Sequence, residues 1–319
     1  MSPHAPDLLT LVRMLLMSER VRLAPRVCGW AVLAALLAGT GPAEAWARPA
    51  PTAVRAATAE CSSSSDPGLA TRIAADVSEA LEGRTGTVSV AVSAPGRGLT
   101  CRLSASRQYD AASIAKVVIL EGLLHRANQS EDRGLTASEG RLARAMITRS
   151  DNDAASSLWR SLGRQRLNAV LSRAGTDDTV LGDNGYWGLT RTSARDQLKV
   201  LDAVSRRPYA MKLMGEVIAG QDWGVSAGAP DDVRTHLKNG WLPRARNGWR
   251  VHSIGTFTGA GRDYRMALLS HDNDTQKYGV RTLERIATAV HRSLGESKAA
   301  VRGFTPDSEI SEIPDGSVP

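Results

Sequence analysis

The sequence has 319 residues, of which 42% are hydrophobic and 23% are charged. This length and composition are typical of a globular protein with a sizeable core, in one large domain or two small ones. The formal net charge is +7. Because the basic residues are interspersed with acidic ones and form no Lys/Arg run, we expect no nucleic-acid binding.

The N-terminal segment has the pattern of a secretion signal. Arginines precede a short apolar run from Trp30 to Leu37, and two small-residue A-x-A sequences follow, beginning at Ala43 and Ala45. The apolar run is too short to span a bilayer. We predict a secretion signal at residues 1–47, an extracellular protein and no stable membrane anchor.

Composition also predicts where the folded part begins and ends. Residues 48–66 are rich in Ala, Pro, Thr and Ser, which is typical of a flexible linker. Residues 295–319 are mostly polar and acidic, and we predict a disordered tail there. The predicted folded domain is therefore 67–294.

Two cysteines remain once the signal, with Cys28, is removed. An even pair in an oxidising compartment favours a structural disulfide, so we predict that Cys61 and Cys101 are paired. The six histidines show no metal-ligand spacing, and we expect no metal and no other cofactor.

The hydrophobic periodicity predicts an α+β fold. In chain order it indicates a helix, a hairpin of two strands, a block of helices, three further strands and a last helix. This order predicts an antiparallel sheet flanked by helices, with an all-helical subdomain inserted between strands. The predicted elements are helix 69–81, strands 87–92 and 99–103, helices 113–127, 136–148, 154–162, 165–174, 194–205 and 209–219, strands 235–241, 249–256 and 264–269, and helix 275–294. Two of these helices are predicted to begin with a capping box, one formed by Thr136 and Glu139 and the other by Ser193 and Asp196.

A serine and a lysine stand three residues apart at the start of the helical block. If a helix begins there, Ser113 lies in its first turn, where unpaired N–H groups favour negative charge, and Lys116 lies beside the serine hydroxyl. This pair can serve as nucleophile and base. The alternative is a serine N-cap with a solvated lysine.

Two more short motifs follow in order. Ser150-Asp151-Asn152 comes directly after a predicted helix, and Lys238-Asn239-Gly240 lies on the first of the three later strands. Each has an ordinary structural interpretation, the first as a turn that caps the next helix and the second as an Asn-Gly hairpin turn.

Together, the three motifs resemble those of the class A β-lactamase and penicillin-binding-protein superfamily of serine acyl-transfer enzymes. The resemblance covers 69–294 and implies the superfamily's two-subdomain α+β fold. It also implies a role for each matched residue. The implied roles are Ser113 as nucleophile, Lys116 as its activator, Ser150 as proton relay, Asn152, Lys238, Asn239, Gly240 and Trp241 as substrate-binding residues, and the backbone N–H groups of Ser113 and Trp241 as oxyanion hole.

This sequence departs from the family in two ways that bear on function. Class A β-lactamases carry a glutamate on an Ω loop that activates the deacylating water, whereas residues 179–191 contain no glutamate. Asp183 is the candidate replacement base, although Asp183-Asn184-Gly185 is also typical of a turn. The second departure is Asn239, which stands where the family usually has Thr or Ser and which can still donate to a carboxylate.

The expected function is that of a secreted, monomeric serine hydrolase that forms an acyl-enzyme on a small β-lactam or a related amide or ester and deacylates slowly. Two alternatives stay open. One is a D,D-peptidase-like or esterase-like enzyme acting on cell-wall peptides or small acyl compounds. The other is a non-catalytic protein that binds β-lactams or wall fragments.

Overall fold

A six-stranded antiparallel sheet carries the fold in this computed structural model, which describes residues 58–245, 247–259 and 261–295. The strand order is β1-β3-β2-β8-β7-β6, so that β6 lies at one edge. A separate two-stranded pair, β4 and β5, was not predicted. The strands are β1 Glu60–Ser63, β2 Thr87–Ala94, β3 Leu99–Leu103, β4 Tyr109–Asp110, β5 Arg191–Thr192, β6 Arg234–Pro243, β7 Trp249–Gly259 and β8 Arg262–Asn273.

Seven α-helices in the described residues cover the two faces of the sheet. Helices α1 and α7 belong to one hydrophobic cluster, and α2 to α6 form most of a second cluster. Strand β2 serves both, since Val90 and Val92 enter the first cluster and Ala91 enters the second. The helices are α1 Pro67–Leu81, α2 Ala115–His125, α3 Ala137–Thr148, α4 Asn152–Ala174, α5 Ala194–Ser205, α6 Pro208–Met214 and α7 Gln276–Leu294.

The predicted α+β class and most predicted elements are confirmed. Strand β3 has the predicted limits, and α3 begins at the predicted capping box, in which Thr136 and Glu139 exchange hydrogen bonds. Two helices predicted on either side of Gly163 form one element, α4, with a kink at that glycine (φ 72°). Its left-handed conformation interrupts the helix without a steric cost to glycine.

Three local predictions need correction. Glu60–Ser63, which the composition assigned to the linker, pairs with β3 as an edge strand. The helix predicted to reach residue 219 ends at Met214. At Ser193 half of the predicted capping box forms: the Ser193 hydroxyl accepts from the Asp196 N–H, but the Asp196 carboxylate accepts hydrogen bonds from residues 177–179 instead.

The predicted secretion signal, the first part of the predicted linker and the tail after Gly295 lie outside the described residues. Within the described ranges, none of the helices combines the length and the apolar character needed to cross a bilayer.

The predicted disulfide joins two neighbouring strands. Cys61 of β1 and Cys101 of β3 are bonded and stand directly opposite each other in the strand register. The bond therefore fastens the short edge strand β1 to the sheet.

We expect the double variant Cys61→Ser/Cys101→Ser to lose about 2–4 kcal/mol of unfolding free energy, because the cross-link removes chain entropy from the unfolded state. Urea denaturation followed by circular dichroism measures this loss. Thiol titration of the unreduced, unfolded wild type should find no thiol from this pair, and finding both would contradict the bond.

A buried carboxyl predicts a pH dependence of stability. Glu284 of α7 accepts a backbone hydrogen bond from Gly224, and burial raises its pKa to about 7 from an ordinary 4.5. The folded state thus binds this proton more tightly than the unfolded chain. The resulting stabilisation is complete below the unfolded pKa and is lost as the pH rises through about 7.

Glutamine has nearly the shape of glutamate but does not titrate. We therefore expect the stability of Glu284→Gln to decline less than that of the wild type between about pH 5 and pH 8, and to exceed it at the upper end of this range. Urea denaturation across this range tests it. The exposed Glu79→Gln on α1 is the control and should retain the wild-type profile. A wild-type slope in Glu284→Gln would contradict the assignment.

Candidate active site

Ser113 lies in a single 3-10 turn, Ala112–Ile114, that leads directly into α2. The residue before it, Ala112, has a left-handed backbone (φ 47°), which is uncommon for a residue with a Cβ and costs free energy. Two bonds hold the turn: the Ala111 N–H donates to the Thr190 carbonyl (2.7 Å), and the Ile114 N–H donates to the Ala111 carbonyl (3.3 Å). The serine therefore sits on a tight, anchored turn rather than inside the regular helix.

Lys116 points its amine at the Ser113 hydroxyl. The Nζ–Oγ distance is 2.8 Å, and the lysine is fully buried. The amine also contacts the Ser150 carbonyl (2.7 Å), the Ser150 hydroxyl (3.0 Å) and the Asn152 side-chain oxygen. The interpretation of Lys116 as a solvated surface lysine is therefore wrong.

The Ser150-Asp151-Asn152 segment has both a structural and a site-forming role. Asp151 caps α4 by accepting from the Ala154 N–H, as its ordinary interpretation predicts. Ser150 adopts a left-handed backbone (φ 58°) between α3 and α4. This sharp turn places the Ser150 hydroxyl and the Asn152 amide oxygen on the same lysine.

Lys238 approaches the same serine from the sheet. Its amine lies 2.9 Å from the Ser150 Oγ and is also buried. It donates to the Asn239 carbonyl (2.9 Å) and to the side-chain oxygen of Gln221 (3.2 Å). The Ser150 hydroxyl therefore lies between two lysine amines, one from α2 and one from β6.

Gln221 is a site residue that the sequence analysis missed. Its amide nitrogen donates to the Arg149 carbonyl (2.9 Å) while its oxygen accepts from Lys238, so it connects β6 to the segment before Ser150. No motif or spacing in the sequence distinguishes this glutamine from others.

Gly240 allows strand β6 to approach the Ser113 turn. A Cβ built on Gly240 would lie 2.9 Å from the Ser113 nitrogen and 3.0 Å from the Ala111 oxygen. The next residue, Trp241, directs its indole to the opposite face of the sheet, where it packs against Trp223. What Trp241 can offer to the site is its backbone.

The structure corrects the role expected for Asn239. Its amide nitrogen donates to the carbonyls of Gln221 (2.8 Å) and Trp223 (3.1 Å), and the side chain is fully buried. An asparagine amide has two hydrogens. Both are used, so Asn239 has no donor left for a substrate carboxylate, and its assignment as a substrate-binding side chain is wrong.

Asp183 is not brought to the site. Its side chain is 84% exposed and pairs with Arg164 (3.1 Å). Arg164 also donates to the carbonyls of Leu181 and Gly182, which fixes this part of the segment to α4. The turn interpretation of Asp183-Asn184-Gly185 fits the left-handed backbone of Asn184 (φ 53°) and Gly185 (φ 86°).

Trp187 is the residue that the segment 179–191 directs to the site, and the sequence analysis missed it as well. Its ring centroid lies 4.6 Å from the Lys116 amine, and its indole N–H donates to the Ser156 hydroxyl (3.0 Å). The side chain is almost fully buried in the helical cluster. The segment therefore presents an aromatic ring to Lys116.

His252, opposite Gly240 on β7, supports the backbone behind the site. Its Nε2 contacts the Asp110 carbonyl (2.9 Å), and its Nδ1 accepts from the Ser270 N–H. Complete burial lowers its pKa to about 3, so the ring is neutral near pH 7. With two backbone partners, His252 is a structural residue.

This fold, with two lysine amines on either side of a serine hydroxyl, is typical of β-lactamase-like serine hydrolases. The chain belongs to the beta-lactamase enzyme family, whose family model matches residues 129–294. The matched region includes Ser150, Asn152 and Lys238 but begins after Ser113 and Lys116, so the placement of these two rests on geometry. No curated protein sequence matches the chain significantly.

Solved structures share the fold at low sequence identity. A class A β-lactamase from Bacteroides cellulosilyticus is 16% identical with a TM-score of 0.61, over 71% of this chain and 98% of that one. A β-lactamase from Sphaerobacter thermophilus is 18% identical with a TM-score of 0.59, over 72% and 99%. The protein PBP-A is 16% identical with a TM-score of 0.60, over 70% and 96%. These likenesses establish the β-lactamase-type fold of the described domain.

The contact between Gly240 and the Ser113 turn gives a test of the geometry. We expect Gly240→Ala to displace the turn, because its methyl group would meet backbone atoms at about 3 Å. The acylation of Ser113 that the sequence predicts should fall by at least about tenfold with a β-lactam or activated ester, since small displacements of a reacting group are costly. Mass spectrometry of the adduct over time measures the rate. Gly96→Ala, whose methyl would meet nothing within 4 Å, is the control.

Proposed function

We propose that this protein is a serine acyl hydrolase in which Ser113 attacks a β-lactam or a related amide or ester and forms an acyl-enzyme that hydrolyses slowly. The observation that carries the proposal is the hydrogen-bonded series Ser113, Lys116, Ser150 and Lys238, in which successive heavy atoms lie 2.8–3.0 Å apart. Acyl transfer needs an activated hydroxyl and a proton donor for the leaving group, and this series contains groups for both.

Lys116 is the base for Ser113. Two of its contacts, the Ser150 carbonyl and the Asn152 amide oxygen, can only accept hydrogen bonds. A neutral amine can donate to such acceptors and can take the Ser113 proton with its lone pair. Two buried amines beside one hydroxyl also disfavour the state in which both are protonated.

Ser150 carries the proton to the leaving group. Its hydroxyl contacts both amines, at 3.0 Å from Lys116 and 2.9 Å from Lys238. In the proposed cycle Ser113 loses its proton to Lys116 and attacks the carbonyl carbon. The leaving nitrogen or oxygen takes the Ser150 proton, and Ser150 is reprotonated from a lysine amine.

The developing oxyanion is stabilised by the backbone N–H groups of Ser113 and Trp241. The close approach of Gly240 to the Ser113 nitrogen supports this pairing, because it brings β6 beside the turn that carries the nucleophile. Preorganised backbone donors of this kind contribute a large share of acyl-transfer catalysis.

Slow deacylation follows from what the segment 179–191 contains. It has no glutamate, and its central aspartate is exposed and paired with Arg164. A water that attacks the acyl carbon needs a base within hydrogen-bond reach. Because this segment supplies no such base, acylation outruns hydrolysis.

The organisation of the whole chain fits such an enzyme. We propose that residues 1–47 direct secretion and that residues 60–294, which include β1, act as a monomeric hydrolase domain on a small-molecule substrate.

Of the esterase-like and D,D-peptidase-like alternatives, the esterase-like activity is the second candidate, because a D,D-peptidase substrate also ends in a carboxylate. It is favoured by Asn239, whose amide hydrogens are both taken by backbone carbonyls. The usual hydrogen-bond donor to a β-lactam carboxylate is therefore absent at this position. Acyl esters that lack this carboxylate lose less binding free energy from its absence.

Rapid mixing with a chromogenic β-lactam and with a chromogenic acyl ester tests the proposal. We expect a burst of about one product per enzyme followed by slow turnover, with the adduct on the peptide that contains Ser113. Ser113→Ala should form no adduct. Lys116→Arg should acylate more slowly by about two orders of magnitude or more, because guanidinium stays protonated and cannot act as a base.

Asp183→Asn separates the remaining interpretations. Since Asp183 is exposed and away from the site, this variant should keep both the burst and the slow phase. Absence of any adduct with either substrate would favour the binding protein, and wild-type acylation by Lys116→Arg would refute the assigned base.

A further inference from the structure

We propose that Trp187 determines the fate of the acyl-enzyme by filling the space beside the Lys116 amine and keeping water out of it. This inference rests on the proposed acyl-enzyme function and adds a residue that controls hydrolysis of the acyl-enzyme. The ring faces the Lys116 amine at 4.6 Å, on the segment where Asp183 was the candidate base.

The chemistry of deacylation explains why this space matters. A water oxygen must bond to the acyl carbon while a base takes its proton, and the ester bond to Ser113 Oγ breaks as that oxygen regains a proton. Lys116 is close enough to Ser113 to serve as such a base, at 2.8 Å. Hydrolysis from that side therefore depends on whether a water can stand next to the amine.

The indole is held in this space from several directions. Its N–H donates to the Ser156 hydroxyl of α4 (3.0 Å), and its backbone belongs to the 3-10 turn Trp187–Leu189. The Thr190 carbonyl just beyond this turn accepts from the Ala111 N–H (2.7 Å), so the tryptophan segment and the nucleophile turn are tied together. The ring is 1% exposed and does not rest loosely on the surface.

The surroundings make the exclusion of water effective. Ser113 itself is 1% exposed, and the atoms around Trp187 include the apolar side chains of the helical cluster. A site closed in this way denies small nucleophiles a place on the Lys116 side. Trp187 thus acts as a specificity-determining residue for the acceptor, without touching the reacting atoms.

The test compares Trp187→Ala, Trp187→Phe and the wild type. Each protein is acylated with a chromogenic β-lactam or ester, excess reagent is removed, and loss of the Ser113 adduct is followed by mass spectrometry. We expect Trp187→Ala to lose its adduct at least about tenfold faster, because water gains access to a base. Trp187→Phe keeps a ring and should restore a long-lived adduct.

The matched control is Trp159→Ala, which removes another buried indole from the same hydrophobic cluster. It should keep the wild-type adduct lifetime, and thermal melts of all variants establish that they are folded. If Trp187→Ala does not fold, Trp187→Leu replaces it, and a smaller acceleration of adduct loss is expected from the smaller space opened.

A wild-type lifetime in folded Trp187→Ala or Trp187→Leu would overturn the inference and leave the proposed function standing. An equal acceleration in Trp159→Ala would also overturn it, since general loosening would then be the cause. If no variant, including the wild type, forms an adduct at Ser113, the proposed function fails and this inference fails with it.

Discussion

Two lysine amines are buried on either side of one serine hydroxyl, and the rest of the site is arranged to keep them there. Removing an amine from water is costly unless hydrogen-bond acceptors replace the lost water. Lys116 finds acceptors on its own turn and on the segment after α3, and Lys238 finds them on β6 and on Gln221. These acceptors come from separated parts of the chain, so the helical block and the sheet must pack correctly before the amines are satisfied.

The same requirement explains several strained or unusual backbone positions. Ala112 and Ser150 both have left-handed conformations, and each lies beside a group that contacts Lys116. Such conformations persist only where the surrounding structure holds them. Here β4 and β5 pair just before the Ser113 turn, and Asp151 caps the helix just after Ser150. Gly240 completes the arrangement, because a strand residue with a side chain could not come so close to the Ser113 turn.

The segment between α4 and α5 is the part of the site that distinguishes this family member. Its polar groups are largely occupied in holding the loop together: the Asp196 carboxylate accepts from residues 177–179, and Arg164 donates to Leu181 and Gly182. What it presents to Lys116 is an aromatic ring. A loop that presents a carboxylate can prepare a water for attack, whereas a loop that presents an indole occupies the same neighbourhood with apolar atoms. This difference is the basis of the slow deacylation that we propose for this protein.

The sequence by itself determined the elements and the main site residues, because these depend on local patterns. Helical and strand periodicity predicted the α+β class, and the resemblance of three short motifs to a known superfamily predicted Ser113, Lys116, Ser150, Asn152 and Lys238 as site residues. Only the tertiary structure decided the rest. The Asn239 side chain lies on the far side of β6, where its amide donates to two backbone carbonyls, and the Asp183 side chain points to solvent. Gln221 and Trp187 enter the site through loop paths that no periodicity encodes, since their partners lie 17 and 31 residues away along the chain.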